Sequence, residues 1–97
     1  MTEATIVAKL AAHIKSRGGY CIKHHGSAYS HAGTPDLLAC LDGRFLALEV
    51  KRPGKSATRL QEVELARWLA AGAVAGVVTS VDDLEALLAL DSSPPRQ

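Results

Sequence analysis

Asp36 and Glu49 lie at equal distances either side of the Asp42-Gly43 pair, and Lys51 follows Glu49 by two residues. Two carboxylates held close together repel unless something neutralises them, and a divalent cation does so. All-oxygen donors suit Mg²⁺ or Mn²⁺, and Mg²⁺ takes only one or two protein carboxylates, leaving the rest of its octahedron to water and phosphate oxygens. An ammonium beside such a centre faces the phosphate that the cation polarises. The chemistry open to these three residues is therefore hydrolysis of a phosphodiester.

The spacing becomes geometry through the turn. Asp42-Gly43 is a pair favoured in two-residue type I′ turns, and the apolar runs Leu37-Leu38-Ala39-Cys40-Leu41 and Phe45-Leu46-Ala47-Leu48 flank it. Such a turn sets the register of both strands. Counting outward pairs Leu41 with Arg44, Cys40 with Phe45, Ala39 with Leu46, Leu38 with Ala47, Leu37 with Leu48, and then Asp36 with Glu49. Directly opposed Cβ atoms sit roughly 4.5–5.5 Å apart, and alternation puts Lys51 on the face of Glu49. Without a cation, the same residues would be an ordinary solvated strand end.

The elements that position this hairpin follow in the order α-β-β-β-α-β-α. A first helix from about Glu3 to Ser16 carries the stripe Ile6, Val7, Leu10 and Ile14 and stops at Gly18-Gly19. Glu3 falls on the inward face of its first turn, where an acid also suits the helix dipole. Tyr20 to His24 reads as a strand, followed by a polar loop from His25 to Thr34 and by Pro35. After the hairpin, Arg52-Pro53-Gly54-Lys55 makes a basic turn. A second helix runs from about Arg59 to Ala71, with Gln61 leading the row Leu65, Trp68 and Gly72. Thr58-x-x-Gln61 is also a capping box. Ala75 to Thr79 is an apolar strand expected to be central or covered on both faces. Ser80 caps a last helix, Val81 to Leu90, in which Asp82 and Asp83 serve the dipole. Residues 1–91 form one domain, and 92–97, with two prolines, a disordered tail.

Gly33-Thr34-Pro35-Asp36-Leu37-Leu38, Asp42-Gly43, Leu48-Glu49-Val50-Lys51 and the downstream Gln61 together resemble the PD-(D/E)xK nuclease signature. The pattern is similar to the stand-alone VRR-NUC (virus-type replication-repair nuclease) type, often phage-encoded, from Glu3 to about Ser80. The resemblance implies a restriction-endonuclease-like α/β fold, a small mixed sheet flanked by helices, and a Mg²⁺- or Mn²⁺-dependent DNA endonuclease. It assigns Asp36 and Glu49 to the metal, with Glu3 bound to it directly or through water, and Gln61 to the edge of the site. The Val50 backbone carbonyl, between Glu49 and Lys51, is a further candidate ligand. Lys51 would position the attacking water or neutralise phosphate. The resemblance also implies a homodimer acting on branched DNA such as four-way junctions. Alternatives are a non-catalytic nucleic-acid-binding module of the same fold and a sequence-specific restriction-type nuclease.

Charge distribution fits a polyanionic partner. Residues 1–60 carry nine Lys or Arg against four acids, and residues 61–97 two against six. Arg52, Lys55 and Arg59, with Lys23, His25, Ser30 and His31 before the hairpin, are the candidate DNA contacts. The histidines and cysteines lack any standard zinc spacing. Cys21 and Cys40 read as reduced, buried thiols. No apolar run reaches the roughly 18 residues of a membrane span, and the N-terminus lacks an apolar signal segment, so the expected setting is the cytoplasm of a phage-infected or bacterial cell, without membrane contact.

Overall fold

The hairpin forms in the register its turn dictates. In the computed structural model, which describes residues 1–24 and 31–90, β2 (Leu37–Leu41) pairs antiparallel with β3 (Arg44–Val50), Leu41 against Arg44 through Leu37 against Leu48. Asp42 and Gly43 both take positive φ, 52° and 75°, as a type I′ turn requires. β1 (Tyr20–Lys23) extends the sheet antiparallel to β2. β4 (Val74–Val78) joins the other side of β3 in parallel, giving the order β1-β2-β3-β4. β4 starts one residue earlier than the sequence suggested. It is an edge strand rather than a central one, and its apolar composition reflects helices packed on both of its faces.

Three helices cover the sheet. α1 (Glu3–Ser16) starts at Thr2, whose hydroxyl accepts from the Thr5 N–H at 3.1 Å, and α3 (Val81–Leu90) starts at Ser80, whose hydroxyl accepts from the Asp83 N–H. Both lie on the face formed by Leu37, Leu41, Leu46, Leu48 and Val50, packing Ile6, Leu10, Ile14, Leu84 and Leu88 against it. Arg17 at the end of α1 ties this layer together, reaching Glu85 of α3 at 2.6 Å and Asp42 of the hairpin turn at 3.2 Å. α2 (Arg59–Ala70) lies on the opposite face, where Leu65 and Trp68 meet Leu38, Ala47 and Ala75. Trp68 stacks on Phe45 with ring centroids 5.1 Å apart.

α2 does not reach across the whole sheet. Tyr20, Cys40 and Phe45 form one row of its face and remain exposed, which corrects the expectation of a buried Cys40; Cys21, on the other face, is buried. His25 and Ser30 and the tail 92–97 lie outside the described residues. Among the described residues, no helix is long and apolar enough to cross a membrane.

Because a left-handed backbone at the turn fixes the register that opposes Asp36 and Glu49, Gly43→Ala is expected to lower the unfolding free energy by about 1–2 kcal/mol in urea titration. An unchanged midpoint and slope would mean that the strands hold their register without the turn.

Candidate active site

β2 and β3 deliver the two acids from adjacent strands. Asp36 immediately precedes β2, where its carbonyl accepts from the His24 N–H at 2.8 Å, continuing the β1 ladder by one rung. Glu49 lies near the end of β3, opposite Val77 of β4. Alternation along β3 sends Leu46, Leu48 and Val50 into the α1/α3 core and Ala47 and Glu49 toward the α2 face. Glu49 is the one buried charged residue among those described, 2% exposed.

A carboxylate so placed loses hydration and must be compensated. Burial raises the Glu49 pKa to about 9, helped by a side-chain hydrogen bond with Asp36 and by the Asp36 charge; Lys51 pulls it down, and Glu3 adds to the rise. In the metal-free protein Glu49 is therefore protonated near neutral pH and donates to the Asp36 carboxylate. Asp36 is itself held, with Oδ2 accepting from the Val50 N–H at 2.8 Å. The two acids form a preorganised pair of oxygen donors around a single proton, a place that a divalent cation can take over.

The other expected residues fall around this pair unevenly. Lys51 continues β3, its N–H donating to the Val78 carbonyl at 3.1 Å, and its charge reaches Glu49. The Val50 carbonyl belongs to the residue whose N–H secures Asp36. Glu3 is exposed at the start of α1; its charge is felt at Glu49, but among the described residues no three His, Cys, Asp or Glu side chains converge on one point.

Gln61 completes a capping box, with Oε1 accepting from the Thr58 N–H at 2.8 Å and its N–H donating to the Thr58 hydroxyl at 3.2 Å. Arg52 and Lys55 are exposed on the connection from β3 to α2, and Arg59 is exposed at the first position of α2. Lys23 pairs with Leu37 and so projects to the face opposite the acids. His31 is bound to Glu64 at 3.0 Å.

Two contributors were missed in the sequence. Gly33, at φ +80°, lies so near α2 that a Cβ would come 2.8 Å from the Leu60 carbonyl, which fixes the approach to Asp36 three residues later. Gly33 stands in the sequence motif, but nothing local records this contact with α2. Glu64 ties the same segment to α2, and its partner lies 33 residues away, beyond any local pattern.

Comparison with solved structures bears on the fold that carries these residues. A protein described as a VRR_NUC domain superposes with a TM-score of 0.75 at 27% identity, covering 90% of this chain and 94% of its own. The chain has a VRR_NUC fold. A second structure, described as a VRR_NUC domain protein, matches with a TM-score of 0.70 at 22% identity over 92% of this chain and 86% of its own. The third is Archaeoglobus fulgidus Hjc, a Holliday junction resolvase from an archaeal hyperthermophile, with a TM-score of 0.63 at 22% identity over 79% of this chain and 67% of its own. No protein-family profile matches, and neither does any curated protein. The VRR_NUC fold bears out the restriction-endonuclease-like core expected from the motif.

The raised Glu49 pKa has a direct consequence for stability. Between pH 4.5 and about 9 the unfolded chain releases the Glu49 proton and the folded chain keeps it, so without metal this group makes stability fall as pH rises. Glu49→Gln removes that dependence. Urea denaturation in EDTA at about pH 5.5 and about pH 8 should show a steeper loss for the wild type than for the variant; equal losses would contradict the assignment.

A second comparison separates the two roles open to Gln61. Gln61→Glu preserves the capping box and should change stability by less than about 0.5 kcal/mol, whereas Thr58→Ala should cost about 1 kcal/mol. A stability loss in Gln61→Glu as large as that in Thr58→Ala would show that the amide itself is structural.

Proposed function

We propose that the protein is a divalent-metal-dependent DNA endonuclease that hydrolyses phosphodiester bonds at branched structures, four-way junctions included, and works as a homodimer in the cytoplasm of a bacterial or phage-infected cell. The observation that carries this reading is the pairing of buried Glu49 with half-buried Asp36 beside Lys51, within a fold shared with VRR_NUC domains and with a Holliday junction resolvase.

Asp36 and Glu49 would hold Mg²⁺ or Mn²⁺, with the Val50 carbonyl as a further oxygen donor and Glu3 acting through water. The chemistry such a cation supplies is Lewis-acid stabilisation of charge growing on the phosphoryl oxygens and a lowered pKa for coordinated water. The chain's own groups do the rest. The Val50 N–H fixes one Asp36 oxygen, so this ligand needs little reorganisation. To hold the cation, Glu49 would release its proton to solvent. Lys51 places a compact positive charge where phosphate must lie, and Gln61, anchored in its cap, has its amide N–H₂ to orient water. Arg52, Lys55 and Arg59 neutralise neighbouring phosphates without reading bases. Lys23, on the other face, contributes to the general positive field only.

The uncovered half of the α2 face supports the dimer. Tyr20, Ile22 and Phe45 are 73%, 51% and 40% exposed, and Cys40 sits between Tyr20 and Phe45. An apolar patch without charge can meet its own copy about a two-fold axis without like-charge repulsion. Trp68 packs, partly buried, against the second core cluster.

Incubation with a labelled four-way junction, a linear duplex and a single strand in Mg²⁺, Mn²⁺ or EDTA tests the activity. Metal-dependent cutting with preference for the junction is expected, with a fall of at least about 100-fold in Asp36→Asn and Lys51→Ala. Folded protein that binds the junction but cuts nothing with either ion would favour the non-catalytic module. For the dimer, a short bis-maleimide should cross-link Cys40 between two chains, and Tyr20→Glu should give a folded monomer by light scattering. A monomeric wild type at high concentration would overturn the assembly.

A further inference from the structure

A groove of about 380 Å³ runs between α2 and the segment that leads to Asp36, outside the metal centre. Its volume is that of a pocket for a small ligand. Leu60 and Val63, 55% and 37% exposed, form an apolar floor. Arg59 and Arg67 stand at its two ends, in one row with Val63 and about 12 Å apart along the helix axis.

The wall is built rather than incidental. The Glu64 side chain, 12% exposed, accepts from His31 Nε2 at 3.0 Å and from Arg67 Nη1 at 3.4 Å, while both partners stay well exposed at 64% and 67%. The turn behind His31 is closed by the Thr34 hydroxyl, which donates to the His31 carbonyl at 2.6 Å. Gly33 presses its backbone against the Leu60 carbonyl, so the groove adjoins the chain three residues before Asp36.

An apolar floor between two guanidiniums matches the chemistry of a nucleotide, a flat base flanked by phosphates. A base inside a continuous duplex is stacked and paired and cannot enter; one at a branch point or a flap can, at small cost. We infer that this groove takes one unpaired nucleotide of the DNA substrate, its base on Leu60 and Val63 and its phosphates on Arg59 and Arg67. The inference rests on the nucleic-acid reading above and adds a reason for structure selectivity. It brings in Leu60, Val63 and Arg67, which carried no expectation in the sequence.

The test is fluorescence anisotropy in Ca²⁺ with two probes, a duplex carrying one unpaired thymine and the same duplex fully paired. Wild type should prefer the unpaired probe by about tenfold or more. Val63→Asp should abolish that preference, and Arg67→Ala should weaken binding of the unpaired probe by about tenfold while leaving the paired duplex nearly unchanged. Thermal melting confirms that these surface variants are folded; Leu60→Asp replaces Val63→Asp should the latter fail to fold. Equal wild-type affinity for the two probes, or a preference that survives the aspartate substitution, overturns the groove assignment. Parallel cutting assays in Mg²⁺ separate the two readings: metal-dependent cutting without the preference removes only the groove, and the preference without cutting removes only the enzyme.

Discussion

A carboxyl group shielded from water and hydrogen-bonded to a second carboxylate is stable only with a proton or a cation between the two. Glu49 is in that position against Asp36, and much of the remaining structure serves to keep it there. The type I′ turn sets the register, the core behind β3 is closed by Leu46, Leu48 and Val50, and the Val50 N–H clamps Asp36. A fold organised only for stability would gain by replacing such a pair with apolar side chains.

The face on which the acids lie explains how the chain divides its tasks. α1 and α3 build the larger core on one side of the sheet and leave the other side to α2 alone. α2 covers β3 and β4 and stops, so one sheet face carries the acids at one end and a bare apolar surface at the other. Arg52 and Lys55 lie on the connection between β3 and α2, and Arg59 and Arg67 on α2, while Lys9 and Lys15 belong to α1, Arg17 to its C-terminal cap and Lys23 to the opposite face of the sheet.

The hairpin was readable from sequence because its turn type is local and its register follows by counting; every pair from Leu41–Arg44 to Leu37–Leu48 is as expected. Helix starts were readable for the same reason, as Ser80 and the Thr58-Gln61 box act within one turn. Other features depended on distant packing. An edge strand with a helix on each face has the same apolar composition as a central one, so the place of β4 was open. Whether Cys40 is buried depends on how far α2 extends across the sheet, which no strand pattern records. Gln61 completes a cap, and no pattern within one helical turn records whether its amide also faces the acids.

If Asp36 and Glu49 hold a divalent cation in place of the Glu49 proton, binding of the ion releases that proton. Calorimetric titration of Mn²⁺ into the protein near pH 7, in two buffers of different ionisation enthalpy, measures this release. One site per chain and about one proton released per ion bound are expected, with both lost in Glu49→Gln. Binding of Mn²⁺ without proton release, or binding of equal strength in Glu49→Gln, would contradict it.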